Sequence, residues 1–222
     1  MRVLVVTPMP RLLGQTQWFP QAFQSILNQD WDGQLDHFVQ SGGEKLRGQT
    51  RYDRVTVKYE AARQFALDGG YDAIWFAEYD MLMPPDALRK LSIADSDISY
   101  GLYVWRRQPH LWSAYKVLWK NTGYSICHIP EVARAAWGTV VDVAGVGHGC
   151  TLVQRHVLER IHFYRDGAAC ADWWMALDAQ EQGFRQVCDL SVVCGHMSLT
   201  PRPNVFWPDP ETEKLYRVED LA

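Results

Sequence analysis

The stretch YDAIWFAEYDMLMPPDAL, Tyr71 to Leu88, decides the fold. Its apolar run from Ala73 to Ala77 carries no charge, so it reads as a buried strand. The run ends abruptly in Glu78-Tyr79-Asp80, and Pro84-Pro85-Asp86 then opens a short helix. Upstream, residues 54–68 form an amphipathic helix closed by Gly69-Gly70. Downstream, SDISYGLYV reads as another strand.

The same alternation runs back to the N-terminus. VLVVT, Val3 to Thr7, is a β-branched run that ends in Pro-Met-Pro and reads as a buried strand followed by a loop. Phe19, Ala22, Phe23, Ile26 and Leu27 have helical spacing, and QLDHFVQS alternates like a strand. Strands alternating with helices predict an α/β fold with a mainly parallel central sheet flanked by helices. After about residue 105 the segments shorten, and WSAYKVLWK, YSICHIP and TVVDVAG predict a small antiparallel portion. CTLVQRHVLERI reads as a strand running into a helix, and ADWWMALDAQEQGF as a helix of about fourteen residues. QVCDLSVVCGHM reads as a last strand ending at His196. The Pro-rich TPRPNVFWPDPE reads as a strap or lid, which divides the chain into a single domain over 1–200 and a C-terminal strap over 201–222.

Two carboxylates at the tip of a core strand call for a reason. In open α/β sheets, ligands bind outside the carboxyl ends of the strands. Residues i and i+2 of an extended chain point the same way, so Glu78 and Asp80 can face one site. Two like charges this close are unfavourable without a cation. Hard oxygen ligands suit Mg²⁺ or Mn²⁺, which usually arrive with substrate phosphates. The competing reading has Glu78 closing the strand and Asp80 capping the helix near Pro84.

Composition narrows the class. The 222 residues are 47% hydrophobic and 22% charged, enough for a substantial core. Ten Trp and ten Tyr fill a core or line a cleft. The formal charge of −4 disfavours nucleic acid as a partner. No transmembrane run and no signal peptide are visible, so a cytoplasmic protein is expected. The five cysteines, Cys127, Cys150, Cys170, Cys188 and Cys194, include no CxxC pair and read as buried free thiols.

The acidic segment resembles the DxD motif of GT-A fold glycosyltransferases of the family-2-like type, in the nucleotide-diphospho-sugar transferase superfamily, with Glu-Tyr-Asp in place of Asp-x-Asp. GVGHGCTLVQRHVLERI resembles the family's acceptor-side segment. ADWWMALDAQEQGFRQVCDLSVVCGH resembles its block of acidic pair, helix, Gly, strand and His. Aligned on Gly183, Asp172 takes the second acidic position and His196 the terminal His. The resemblance spans roughly residues 1–198; Ala171 stands where the usual first acid would be, and KYEAAR where relatives carry Arg-Asn.

The resemblance implies a GT-A (Rossmann-like) sheet and transfer of a sugar from a UDP- or GDP-sugar to an acceptor hydroxyl. Asp80, with Glu78 and His196, would hold Mn²⁺ or Mg²⁺ against the leaving diphosphate. Asp172 would be the general base, although Asp is also a preferred helix N-cap. Thr7, Pro8 and Arg11, after the first strand, would cradle the nucleotide, with Glu78, Tyr79 and Asp80 across the donor. The glycines of GVGHGC, Gly147 among them, would let backbone approach the sugar or diphosphate. Of Lys58 and Arg63, at most one would contact phosphate, with surface roles as the default. One of Trp173 and Trp174 would face the core and the other an acceptor, and the Trp-rich 104–119 segment would form an acceptor wall or a flap. The acceptor is open among glycan, small molecule, protein and modified nucleic-acid base. A sugar-phosphate nucleotidyltransferase and a non-catalytic GT-A-like binding module are the alternatives.

Overall fold

A computed structural model describes residues 1–9, 19–40, 50–119, 122–125, 130–166, 170–198 and 203–221. In chain order the strands are β1 (Arg2–Pro8), β2 (Gln34–Gln40), β3 (Ala73–Ala77), β4 (Met81–Leu82), β5 (Ile98–Leu102), β6 (Tyr115–Trp119), β7 (Thr122–Ser125), β8 (Val140–Asp142), β9 (Cys150–Gln154), β10 (Gln186–Val193), β11 (Gly195–Ser198), β12 (Asn204–Pro208) and β13 (Tyr216–Asp220). The helices are α1 (Phe19–Leu27), α2 (Arg51–Asp68), α3 (Ala87–Ile93), α4 (Pro130–Ala136), α5 (Arg155–Leu158) and α6 (Ala171–Glu181).

Seven strands form the central sheet in the order β2-β1-β3-β9-β5-β10-β8. Parallel pairing joins β1 to β2 and β3, and β5 to β10. β9 runs antiparallel between β3 and β5, and β8 antiparallel along β10. The sheet is thus mainly parallel, as the alternation of elements predicts. Every residue of β3 and β5 is buried, which explains the uninterrupted apolar run of β3; β5 carries Ser99 within its buried run.

The register shows that helices cover both faces. Phe76, Thr151 and Tyr100 lie side by side across β3, β9 and β5. On that face Tyr59 of α2 packs edge-on against Phe76, with ring centroids 5.0 Å apart. Trp75, Leu152 and Ser99 are likewise paired and point the other way. There the Ser99 hydroxyl donates to Leu91 O of α3 at 2.7 Å. Burying Trp75 and Phe76 from opposite faces contributes roughly 1.5–3 kcal/mol each.

A second, antiparallel sheet runs β13-β12-β11-β4, and β6 and β7 form a hairpin. This corrects the reading of one last strand ending at His196. The chain leaves β10 at Cys194 and starts β11 at Gly195, in a different sheet. The Pro-rich segment read as a strap carries β12 and β13; Pro203 and Pro208 flank and end β12 without interrupting its ladder.

Two helix boundaries differ from the pattern reading. α2 starts at Arg51, three residues early, because Thr50 and Asp53 make a reciprocal capping box. Its C-terminal cap is Gly69, and Gly70 follows at φ +67°, a conformation that favours glycine. α6 is 11 residues long rather than about fourteen.

Candidate active site

The end of β3 is pinned from two sides. Glu78 N–H donates to Gly149 O at 3.1 Å, joining it to the loop before β9. The chain then turns through Tyr79 and Asp80, and Met81 N–H returns to Glu78 O at 3.2 Å. β4 pairs with β11, which sets His196 opposite Met81. Met197 N–H donates to Asp80 O at 2.8 Å. A two-residue strand is thereby enough to bring Asp80 and His196 together from positions 116 residues apart.

Asp80 is 5% exposed, and its Oδ2 accepts a hydrogen bond from Arg106 Nη1. The same Nη1 also donates to Met197 O at 3.1 Å. Asp80 Oδ1 is buried with no hydrogen-bond partner among the described residues. His196 Nε2 stands 3.9 Å from Asp80 Oδ2. Its Nδ1 is 2.8 Å from Val104 O; a carbonyl only accepts, so Nδ1 carries the proton. Burial, reinforced by the charge of Arg106, lowers the His196 pKa against the pull of Asp80. A neutral His196 therefore turns the lone pair of Nε2 toward a carboxylate. Asp80 does not cap α3: the cap position is Asp86, whose carboxylate pairs with Lys90 Nζ at 3.0 Å.

Among the described residues no three His, Cys, Asp or Glu side chains converge as a ready metal site. Asp80 and His196 nevertheless fit a divalent cation that brings further oxygen ligands with it. An orphaned carboxylate oxygen and an imidazole lone pair, oriented by a backbone carbonyl, are a matching donor set.

Glu78 and Asp172 complete an acidic cluster. Tyr59 Oη donates to Glu78 Oε1 at 3.0 Å. Burial, and then the charges of Asp80 and Asp172, push the Glu78 carboxyl up to about 7. Asp172 lies in the first turn of α6, where the helix dipole favours a carboxylate, and its Oδ1 accepts from Trp173 N–H at 3.0 Å. The cap itself is Cys170, which makes no side-chain capping bond. Its thiol bonds instead to Asp172; burial and then that carboxylate push the thiol pKa far up.

Asp172 faces a cavity of about 150 Å³ walled by Tyr103, Trp105, Tyr115 and Trp173 and floored by Gly147. The three outer rings run in a row, with centroids 5.6 Å apart from Trp105 to Tyr115 and 5.3 Å from Tyr115 to Trp173. A Cβ on Gly147 would overlap the Tyr103 hydroxyl and lie 3.0 Å from Asp172 Oδ2. Gly147 thus leaves room for the Asp172 carboxylate and the Tyr103 ring at the cavity.

The structure brings Glu78, Asp80, Gly147, Asp172 and His196 to one end of the sheet. Thr7 and Pro8 are the last residues of β1, not a loop after it, and both are buried. The Thr7 hydroxyl is 2.9 Å from His37 Nε2. Arg11 lies outside the described residues. Lys58 and Arg63 are 8% and 4% exposed, which corrects their surface assignment. Lys58 Nζ donates to Met9 O, and Arg63 Nε to Leu158 O, each at 2.6 Å. His148 is enclosed by Tyr59, Phe76 and Phe163. Of the tryptophan pair, Trp174 is buried and donates to Asp166 O at 2.8 Å, whereas Trp173 lines the cavity. Cys150, Cys170, Cys188 and Cys194 are free thiols. Sequence reading missed Arg106, whose one visible signal is a pair of arginines, Arg106-Arg107, inside an aromatic segment.

Among solved structures, A197 from STIV matches at a TM-score of 0.64 and 16% identity, over 100% of this chain and 96% of that one. The catalytic domain of Drosophila β1,4-galactosyltransferase 7, in complex with xylobiose, matches at a TM-score of 0.51 and 15% identity, over 97% of this chain and 69% of that one. The chain has a GT-A-like fold. Neither a protein-family model nor a curated protein sequence matches it. In this GT-A-like fold the acidic cluster sits at the carboxyl end of β3, the sheet edge where open α/β sheets take ligands. No helix among the described residues is long and apolar enough to cross a membrane.

Proposed function

We propose that the chain is a glycosyltransferase that moves a sugar from a UDP- or GDP-sugar to a hydroxyl of a saccharide acceptor. The observation that carries this reading is Asp172 facing an aromatic cavity beside the acids of the β3 tip. Aromatic faces suit the C–H face of a sugar ring, and a cavity of about 150 Å³ takes one ring rather than a drug-sized ligand.

The acceptor oxygen attacks the anomeric carbon while the bond from that carbon to the diphosphate breaks. The diphosphate leaves with the electron pair, and Asp172 Oδ2 takes the acceptor proton. A base placed in this way typically contributes about 10²–10⁴ in rate. Asp172 is held for this task by Trp173 N–H on Oδ1 and by the Cys170 thiol. Asp80 and His196 would hold Mn²⁺ or Mg²⁺, whose charge would stabilise the leaving diphosphate.

The test is release of UDP or GDP from nucleotide-sugars with Mn²⁺, with and without saccharide acceptors. Nucleoside diphosphate is expected to appear, and Asp80→Ala and Asp172→Asn to lose it by about 100-fold or more. Pyrophosphate release from a nucleoside triphosphate and a sugar phosphate would replace this reading with nucleotidyl transfer. Glycan binding without either product would leave a binding module.

A further inference from the structure

Arg106 occupies the place at Asp80 that the sequence leads one to give to a metal. Its Nη1 bonds both Asp80 Oδ2 and Met197 O, so the guanidinium lies against the β4–β11 junction, where His196 also points. Its side chain is 31% exposed, against 7% for that of Asp80, so the group enters from the open side of a buried carboxylate. It comes from the segment between β5 and β6, and Trp105 N–H bonds Leu111 O at 2.9 Å across that segment.

With Arg106 on Oδ2, a divalent cation on the orphaned Oδ1 of the same carboxylate would lie close against the guanidinium and be strongly repelled. Even with an effective dielectric constant of about 20, a single pair of unit charges 4 Å apart is worth about 4 kcal/mol. Adding a nucleoside diphosphate changes the balance, because its phosphates can take both cations. Arginine is suited to that role, since its planar fork matches phosphate oxygens.

We propose that Arg106 is an exchangeable internal cation: it holds Asp80 while the donor site is empty, and passes from that carboxylate to the diphosphate when metal and nucleotide arrive together. The inference rests on the donor-site reading above and goes beyond it. Metal alone is kept off Asp80, and the metal–nucleotide pair is admitted. Coupling of this kind is reciprocal, so nucleotide raises metal affinity by the same factor that metal raises nucleotide affinity.

The experiment is titration of Mn²⁺, followed by electron paramagnetic resonance, on the whole chain with and without UDP or GDP. Calorimetry of the same nucleotides at saturating Mn²⁺ accompanies it. Wild type, Arg106→Gln, Arg106→Lys and Asp80→Asn are compared. Arg106→Gln is expected to bind Mn²⁺ alone at least tenfold more tightly than wild type, and to bind UDP or GDP with Mn²⁺ at least tenfold more weakly. Arg106→Lys keeps the charge, so its Mn²⁺ affinity without nucleotide stays near wild type, while its nucleotide affinity falls for want of the fork. That variant decides the matter if Arg106→Gln does not fold: Mn²⁺ binding as tight without nucleotide as with it overturns the proposal. So does an Arg106→Gln protein that binds Mn²⁺ no better than wild type, or that keeps full nucleotide affinity. Asp80→Asn separates the two readings. If it binds Mn²⁺ as wild type does, the metal is not at Asp80 and the donor-site reading fails. If it loses Mn²⁺ while Arg106→Gln matches wild type, only the exchange fails.

Discussion

His196 presents its Nε2 to Asp80 Oδ2 across 3.9 Å because its other ring nitrogen is committed to Val104 O. The geometry fixes both the tautomer and the ring orientation before any ligand arrives. Tyr103 holds the ring edge-on at 5.4 Å. Replacing His196 by Ala is therefore expected to weaken Mn²⁺ at saturating UDP or GDP by about tenfold or more. A magnetic-resonance titration reads the change directly. Unchanged affinity would reduce His196 to a packing partner of Tyr103.

Gly147 lies against two groups, the hydroxyl of the buried Tyr103 and Oδ2 of the half-buried Asp172. Tyr103 is 7% exposed, so its ring can yield only into the cavity that it walls. Gly147→Ala is expected to cost about 1–3 kcal/mol of stability through overpacking. Transfer is expected to fall about 100-fold, because a shift of about 1 Å misplaces the Asp172 carboxylate, the proposed base. Nucleotide affinity stays near wild type. Denaturant unfolding, transfer kinetics and calorimetry on the one variant check all three outcomes.

The adjacent Trp173 and Trp174 are expected to separate binding from folding. Trp173 lines the cavity, so Trp173→Ala should raise the saccharide KM about tenfold and leave donor hydrolysis alone. Trp174 is 6% exposed, bonds Asp166 O, and stacks on Tyr164 at 5.7 Å. Trp174→Ala should destabilise the fold by about 3–5 kcal/mol. Acceptor kinetics and thermal melts of the pair would collapse the distinction if both variants behaved alike.

How far the sequence reaches differs between the two sheets. β3 was legible because a strand buried on both faces has to be apolar throughout, and its end is marked by the first charge, Glu78. β1 was legible for the same reason. The second sheet was not, because the single Gly195 inside an apolar run reads as a bulge in one strand and the prolines around β12 suggest irregular chain. Asp80 and Asp172 could be singled out as acids at element ends. Arg106 could not be assigned to Asp80, since that contact spans 26 positions and depends on how residues 105–111 fold over β11. Thr50-x-x-Asp53 was a legible cap that an apolar-periodicity reading passes over, because it lies outside the hydrophobic pattern.

His148 gives the pH dependence. Its ring stacks on Phe76 at 4.8 Å and meets Tyr59 and Phe163 edge-on, and neither nitrogen has a hydrogen-bond partner among the described residues. Burial lowers its pKa from 6.5 to about 4, against a smaller opposing pull from Asp172. The unfolded chain therefore binds the proton more readily than the fold. Above the unfolded value the group contributes no pH dependence; as pH falls from about 6.5 toward 4, stability is lost. Between pH 7.5 and 5 the loss from this one group is on the order of 2 kcal/mol. His37 and His196 are also lowered by burial, so they add to the slope in the same direction. His148→Phe keeps an aromatic ring in the same aromatic cage and has nothing to titrate. Urea unfolding of both proteins at pH 7.5 and pH 5 is expected to show the wild type losing about 2 kcal/mol more than the variant. An equal loss in both would mean that the buried ring is already satisfied, by water or by a shifted carboxylate, and takes no part in acid lability.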